Sequence, residues 1–263
     1  RAGSSPATGT NLERFLRSVM KFLAFLLLGV VTARAADANW SVYLGDKASS
    51  HFSTLRQITP RNVTKLEVAW TYRAGGADPN NRSQIQCNPL VIDGVCYGTT
   101  PDLQAFALDA ATGKELWRFN PASIKGITKG GVNRGLTFWI DGTERWVLYG
   151  NDHFLHSLDA RTGQRVESFG TDGTIDLKAN LGRDVSGLAL QVTTPGVIFG
   201  DLLIMGMRLG EGPAPAAPGH IRAYDVRTGK LVWRFNTIPL PGEPGYETWP
   251  PNAYKKIGGA NVW

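Results

Sequence analysis

The chain has 263 residues, 42% of them hydrophobic and 19% charged, and a formal net charge of +6. Residues 1–35 hold five basic residues (Arg1, Arg14, Arg17, Lys21, Arg34) against one acid, Glu13, which leaves a net charge of only +2 for residues 36–263. So small an excess, with no Lys/Arg stripe interleaved with aromatics, excludes the electrostatic footprint of a nucleic-acid binder.

In chain order, Met20 and Lys21 precede an apolar run over residues 22–31 and then Ala33-Arg34-Ala35. A basic start, a short apolar run and small residues two apart are the pattern of a secretory signal peptide cut after Ala35. The run falls short of the roughly 18 apolar residues that a membrane span requires. A buried N-terminal helix is the alternative, and residues 1–19 are either a long basic n-region or sequence upstream of the true start. The domain reading is therefore an upstream segment and signal peptide over 1–35 and a folded domain over 36–263. Export would let Cys87 and Cys96 pair; equally they are two small apolar residues of one strand, since geometry and not count decides the matter.

Beyond the leader the chain repeats itself. Ala107-Leu108-Asp109-Ala110-Ala111-Thr112-Gly113-Lys114-Glu115-Leu116-Trp117-Arg118-Phe119 returns as Ala223-Tyr224-Asp225-Val226-Arg227-Thr228-Gly229-Lys230-Leu231-Val232-Trp233-Arg234-Phe235. A third copy begins at Ser157-Leu158-Asp159 and runs to Thr162-Gly163, with Glu167 where tryptophan would stand and Phe169 at the offset of Phe119. A degenerate copy ends at Val68-Ala69-Trp70-Thr71-Tyr72. Asp and Thr-Gly at fixed offsets make an Asx-type turn with a left-handed glycine, and alternating apolar residues on either side make two strands. Each copy is thus a hairpin. Each is preceded by another apolar stretch with a turn: residues 89–98, 145–150 and 196–206. Four strands per unit, repeated, make blades of an all-β propeller. Trp117 and Trp233 are expected to pack between blades. His153 and His156 are expected on one strand, facing opposite sides, and not as a metal pair.

The Asp-x-x-Thr-Gly-x-x-x-Trp unit resembles the repeat of the pyrroloquinoline quinone (PQQ) dehydrogenases, the family of methanol, alcohol and membrane glucose dehydrogenases. The likeness runs from Trp40 to Trp263 and includes residues 39–46, 52–59 and 62–70. It implies an eight-bladed propeller, of which this chain would hold about the first three to four blades. It also implies PQQ with a Ca²⁺ ion, a sugar or alcohol substrate, a membrane quinone or cytochrome as electron acceptor, and an exported, periplasmic or membrane-associated protein.

Carried over by position, Arg134 in Val132-Asn133-Arg134-Gly135 resembles the arginine that pairs with a PQQ carboxylate. Thr193 in Thr193-Thr194-Pro195 matches a hydroxyl on another carboxylate, Glu211 a calcium-ligating glutamate, and Trp249 the indole beneath the quinone. Four departures accompany these matches. Gln86 stands where better-known relatives carry glutamate near the cofactor, and Arg208 where methanol dehydrogenases carry serine; by position both are expected to bind the cofactor. Lys129-Gly130-Gly131 replaces an adjacent-cysteine element, and Val262 replaces a calcium-ligating asparagine, with Asn261 one residue away as the substitute. These departures resemble the glucose and polyol branch, or an uncharacterised one, more than the methanol branch. The resemblance places the general base on a later blade, after residue 263, so no catalytic residue is assigned here, and Asp184 and Asp225 are not promoted to the role. The rival reading is a non-catalytic propeller that serves as a scaffold or protein-binding module.

Overall fold

The computed structural model describes residues 39–127, 131–213 and 215–259. The expected leader, Lys129, Gly130 and Asn261 lie outside the described residues. The first sheet is made of β1 (Leu90–Ile92), β2 (Val95–Thr99), β3 (Ala105–Asp109) and β4 (Glu115–Phe119), antiparallel and in sequential order. The second repeats that order with β5 (Thr137–Asp141), β6 (Glu144–Asn151), β7 (Phe154–Asp159) and β8 (Thr174–Asp176). After β9 (Leu190–Gln191) come β10 (Val197–Phe199), β11 (Leu202–Met205), β12 (Arg208–Leu209), β13 (Ile221–Asp225) and β14 (Leu231–Phe235). Here β10, β11, β13 and β14 form the third four-stranded sheet, and β9 pairs with β12. Three blades of a propeller are present, as the repeats predict. No described helix is long and apolar enough to cross a membrane.

The turns follow their residues. Asp93-Gly94 joins β1 to β2 with both φ positive, at 50° and 80°, which only a residue pair of this type adopts cheaply. In the repeat turn, Asp109 Oδ1 accepts from Thr112 N at 2.8 Å and from Thr112 Oγ1 at 2.7 Å, and Asp225 does the same with Thr228 at 2.8 and 2.7 Å. The motif residues therefore close hairpins.

Packing between blades gathers on the repeat tryptophans. Trp70 Nε1 donates to Ala110 O at 3.1 Å, and Trp117 Nε1 to Ala160 O at 2.9 Å. Each indole lies over the glycine of the next unit's turn. A Cβ on Gly113 would meet Trp70 at 2.5 Å, and one on Gly163 would meet Trp117 at 2.6 Å. One apolar cluster, with Leu90, Ala107, Trp117, Val147, Tyr149 and Leu158, joins the first two blades. A second, with Leu148, Phe169, Leu177, Leu203 and Tyr224, joins the second and third.

Three expectations change. Trp233 is 40% exposed, because no described sheet follows β14 to cover it. Phe169 is buried but does not occupy the place of Phe119: the fourth strand of the second blade breaks after the Leu158–Arg165 bridge and resumes only at β8, where Ile175 pairs with Leu155. The main chain of Gly170 packs against Gly229 instead, with Gly170 N donating to Thr228 O at 2.9 Å. His153 sits on the β6–β7 turn beside Asp152 and not on a strand, while His156 is buried within β7, so the two are separated for a different reason than face alternation.

Candidate functional site

In each sheet the first strand starts, the second ends and the third starts at one and the same end, so the long connections gather at this end, beside the two-residue β6–β7 turn, and the repeat turns lie at the opposite end. Those connections are residues 120–136, 177–196 and 206–220. Loops carried on a rigid sheet are where binding groups sit.

The segments leading into β1, β5 and β10 lie side by side. Asn88 N donates to Arg134 O at 2.8 Å, and Arg134 N donates to Thr193 O at 2.8 Å. This backbone relay brings Gln86, Arg134 and Thr193, which are far apart in sequence, into one row across three blades. Asn133 fixes the middle segment: it is buried, its Nδ2 donates to Gly150 O at 3.0 Å and its Oδ1 accepts from Gly135 N at 2.7 Å. With its neighbours held on both sides, the Arg134 backbone is pinned. Sequence reasoning quoted Asn133 without seeing this role, since only the fold places Gly150 beside it.

Thr193 is 2% exposed, and its Oγ1 has no hydrogen-bond partner among the described residues. The buried Oε1 of Gln86 has none either. Leaving a buried hydroxyl or amide oxygen unpaired costs about 1–3 kcal/mol, so two such atoms in one row mark a surface built for a polar guest.

Arg208 of β12 and Glu211, two residues past its end, join the row. Arg208 pairs with Gln191 of β9, two residues before Thr193, and its Nη1 donates to Gln191 Oε1 at 3.4 Å. Arg208 Nε lies 3.9 Å from Glu211 Oε1. Gln191 also approaches Gly131, whose Cβ would lie 3.8 Å from Gln191 Nε2. Gln191 is thus a member of the cluster that the sequence did not single out; it is recognisable only once β9 is seen to pair with β12. Trp249 follows the 3-10 turn Tyr246–Thr248, is 37% exposed, and no described contact joins it to this row. Among the described residues no group of three His, Cys, Asp or Glu side chains could hold a metal ion. Cys87, one residue from Asn88, and Cys96 are free thiols, and burial pushes both pKa values up, so neither is a thiolate nucleophile at neutral pH.

A family described as "Glucose/ethanol/alcohol dehydrogenase, beta-propeller domain", the PQQ family, matches residues 40–263. The chain belongs to this family. It is 32% identical to the quinate/shikimate dehydrogenase (quinone) of Acinetobacter baylyi, over 86% of this chain and 31% of that protein. It is 37% identical to the dehydrogenase subunit of the alcohol dehydrogenase (quinone) of Gluconobacter oxydans, over 86% of this chain and 30% of that subunit. Among solved structures, the quinohemoprotein alcohol dehydrogenase ADHIIG of Pseudomonas putida superposes with a TM-score of 0.67 at 30% identity, over 89% of this chain and 34% of that one. The chain thus spans about a third of the length of these PQQ-family relatives.

PQQ is a planar quinone edged with carboxylates, and the row fits it. Thr193 offers an unpaired buried hydroxyl, Gln86 an amide, and Arg134 a guanidinium suited to a charge-assisted pair. For the metal the fit is partial: Glu211 supplies one carboxylate, and a calcium ion takes six to eight oxygens.

Proposed function

We propose that this chain forms part of an exported PQQ-dependent oxidoreductase that oxidises the hydroxyl of a small alcohol, polyol or sugar and passes electrons to a membrane quinone or a cytochrome. The observation that carries the reading is the relay that aligns Arg134, Thr193 and Gln86, with the buried Thr193 hydroxyl lacking a partner among the described residues. The relatives act, by their names, on quinate or shikimate and on alcohols, all hydroxyl-bearing small molecules.

In this reading Arg134 and Thr193 hold carboxylates of PQQ, Gln86 bonds its edge, and Asn133 keeps Arg134 in place through the backbone. Arg208 orients Glu211, which contributes one ligand to Ca²⁺. Bound PQQ supplies the two-electron acceptor, and the protein supplies orientation and charge. Trp249 is kept as the candidate indole beneath the quinone, though no described contact joins it to the row. No base is assigned: Asp225 is held in its hairpin turn, and Asp184 accepts from Ser186 N at 3.0 Å, a bond that lowers its pKa.

The test is reconstitution of the full-length protein with PQQ and Ca²⁺, followed by dye reduction across glucose, polyols and short alcohols. Cofactor-dependent reduction is expected, and Arg134→Ala should weaken PQQ binding at least tenfold without unfolding the protein. A folded full-length protein that binds no PQQ would leave the scaffold propeller as the reading.

A further inference from the structure

The second repeat unit is the one that lost its tryptophan, and a cavity of about 680 Å³ opens between the second and third blades beside that place. Apolar walls come from Ile124, Ile127, Phe154, Ile175 and Leu231. Two polar residues from β13, Arg222 and Tyr224, share one face of the strand and line the same cavity. Arg222 is 2% exposed and Tyr224 5% exposed.

The guanidinium is poorly served. Its Nη2 donates to Leu177 O at 2.8 Å and lies 2.7 Å from the Met207 sulfur, while its Nε has no partner and no carboxylate lies within ion-pair distance among the described residues. The Tyr224 hydroxyl has no partner either. The guanidinium carbon lies 5.5 Å from the centroid of the Tyr224 ring and Asp176 attracts it from beyond ion-pair distance, so the buried cation is only partly compensated. Lys125 and Lys230 stand at the rim, against one acid, Asp176, and Arg234 pairs across the sheet with Arg222. The local charge is positive.

We propose that this inter-blade cavity binds a small organic carboxylate with an apolar body, its charge held by Arg222 and the Tyr224 hydroxyl and its body by the isoleucine and phenylalanine walls. Pockets of this size, mostly apolar with a few convergent polar groups, are the usual form of small-molecule sites. The site stands apart from the row of Gln86, Arg134 and Thr193, so it holds or fails independently of the dehydrogenase reading.

The test is titration of the full-length protein with benzoate, its neutral analogue benzyl alcohol and inorganic phosphate, by calorimetry. Benzoate is expected to bind at least tenfold more tightly than benzyl alcohol. Tyr224→Phe should weaken it at least tenfold, the worth of one hydrogen bond to a charged group. Because Arg222 substitutions risk unfolding, Ala179→Trp, at an exposed rim position, is the second variant and should block binding with the melting temperature unchanged. Equal binding of benzoate and benzyl alcohol, binding of phosphate alone, or benzoate binding insensitive to both variants would overturn the proposal.

Discussion

Buried polar residues divide into those that the fold consumes and those that it leaves open, and His156 belongs to the first kind. Its ring lies between Tyr149 and Phe119, with centroids 5.3 and 5.6 Å away, and its Nδ1 is 3.0 Å from Thr174 Oγ1. Burial, aided by the positive charge of Arg165, pushes its pKa down to about 3, so it is neutral in the folded protein. The unfolded chain binds a proton near pH 6.5 that the folded one refuses until about pH 3. Stability from this residue is therefore complete above pH 6.5 and is lost as pH falls through that window, by about 1.4 kcal/mol per pH unit. His220, held down to about 4 by burial first and Arg234 next, adds to the slope. Denaturant unfolding of His156→Phe between pH 7 and 4 should show an acid slope shallower by about one proton; an unchanged slope would refute the assignment. Thr193 belongs to the second kind, and Thr193→Val is expected to leave stability within about 1 kcal/mol while weakening PQQ binding, because its hydroxyl bonds nothing among the described residues. Equilibrium unfolding and cofactor titration of the same variant separate the two effects.

At the scale of the element, the repeat tryptophan couples one blade to the next, and its worth depends on whether a next blade is there. Trp117 is 8% exposed, fills the space over Gly163 and donates to Ala160 O, whereas Trp233, at the same offset, is 40% exposed. In this chain Trp117→Ala should cost about 3–5 kcal/mol and Trp233→Ala less than about 1 kcal/mol, read from denaturant midpoints. Equal costs would mean that the tryptophans act within their own sheets. Legibility follows the same division. The hairpins were readable because Asp109, Thr112 and Gly113 act on each other locally, and local geometry repeats wherever those residues do. The second unit departs at Phe169 because its strand is interrupted: Gly170 and Asp172-Gly173, all at positive φ, make a turn there, but that pairing resumes at Thr174 is set by tertiary contacts. Arg134 and Thr193 were found through resemblance and are joined by the structure, while Gln191 and Asn133 went unseen because their partners, Arg208 and Gly150, are brought to them by sheet topology. Trp249 was placed on the same resemblance, and no described contact ties it to the others.

For the whole molecule, what matters is that a propeller keeps the outer edge of each blade and covers the blade faces by stacking one on the next, and the described blades leave a face open at each end. On the outer strand of the third blade Leu231, Val232, Trp233 and Phe235 are 39, 54, 40 and 60% exposed. Before the first blade, Leu66 and Val68 are 59 and 82% exposed on a segment that docks through Trp70 yet belongs to no described sheet. An apolar strand with unpaired backbone at one side and a solitary strand-like segment at the other are complementary to further blades, or to other copies of the same chain. Residues 36–263 expressed alone should therefore self-associate and reduce no dye, since the row of Gln86, Arg134 and Thr193 forms one side of a site and supplies no base. Val232→Lys with Phe235→Lys should lower the sedimentation coefficient toward that of a monomer, because two charges on the exposed edge oppose strand pairing without touching the core between blades. A product that stays monomeric at high concentration without those substitutions, and unfolds in one cooperative step, would show that three blades bury enough to stand alone and that the exposed residues of β14 carry no drive to associate.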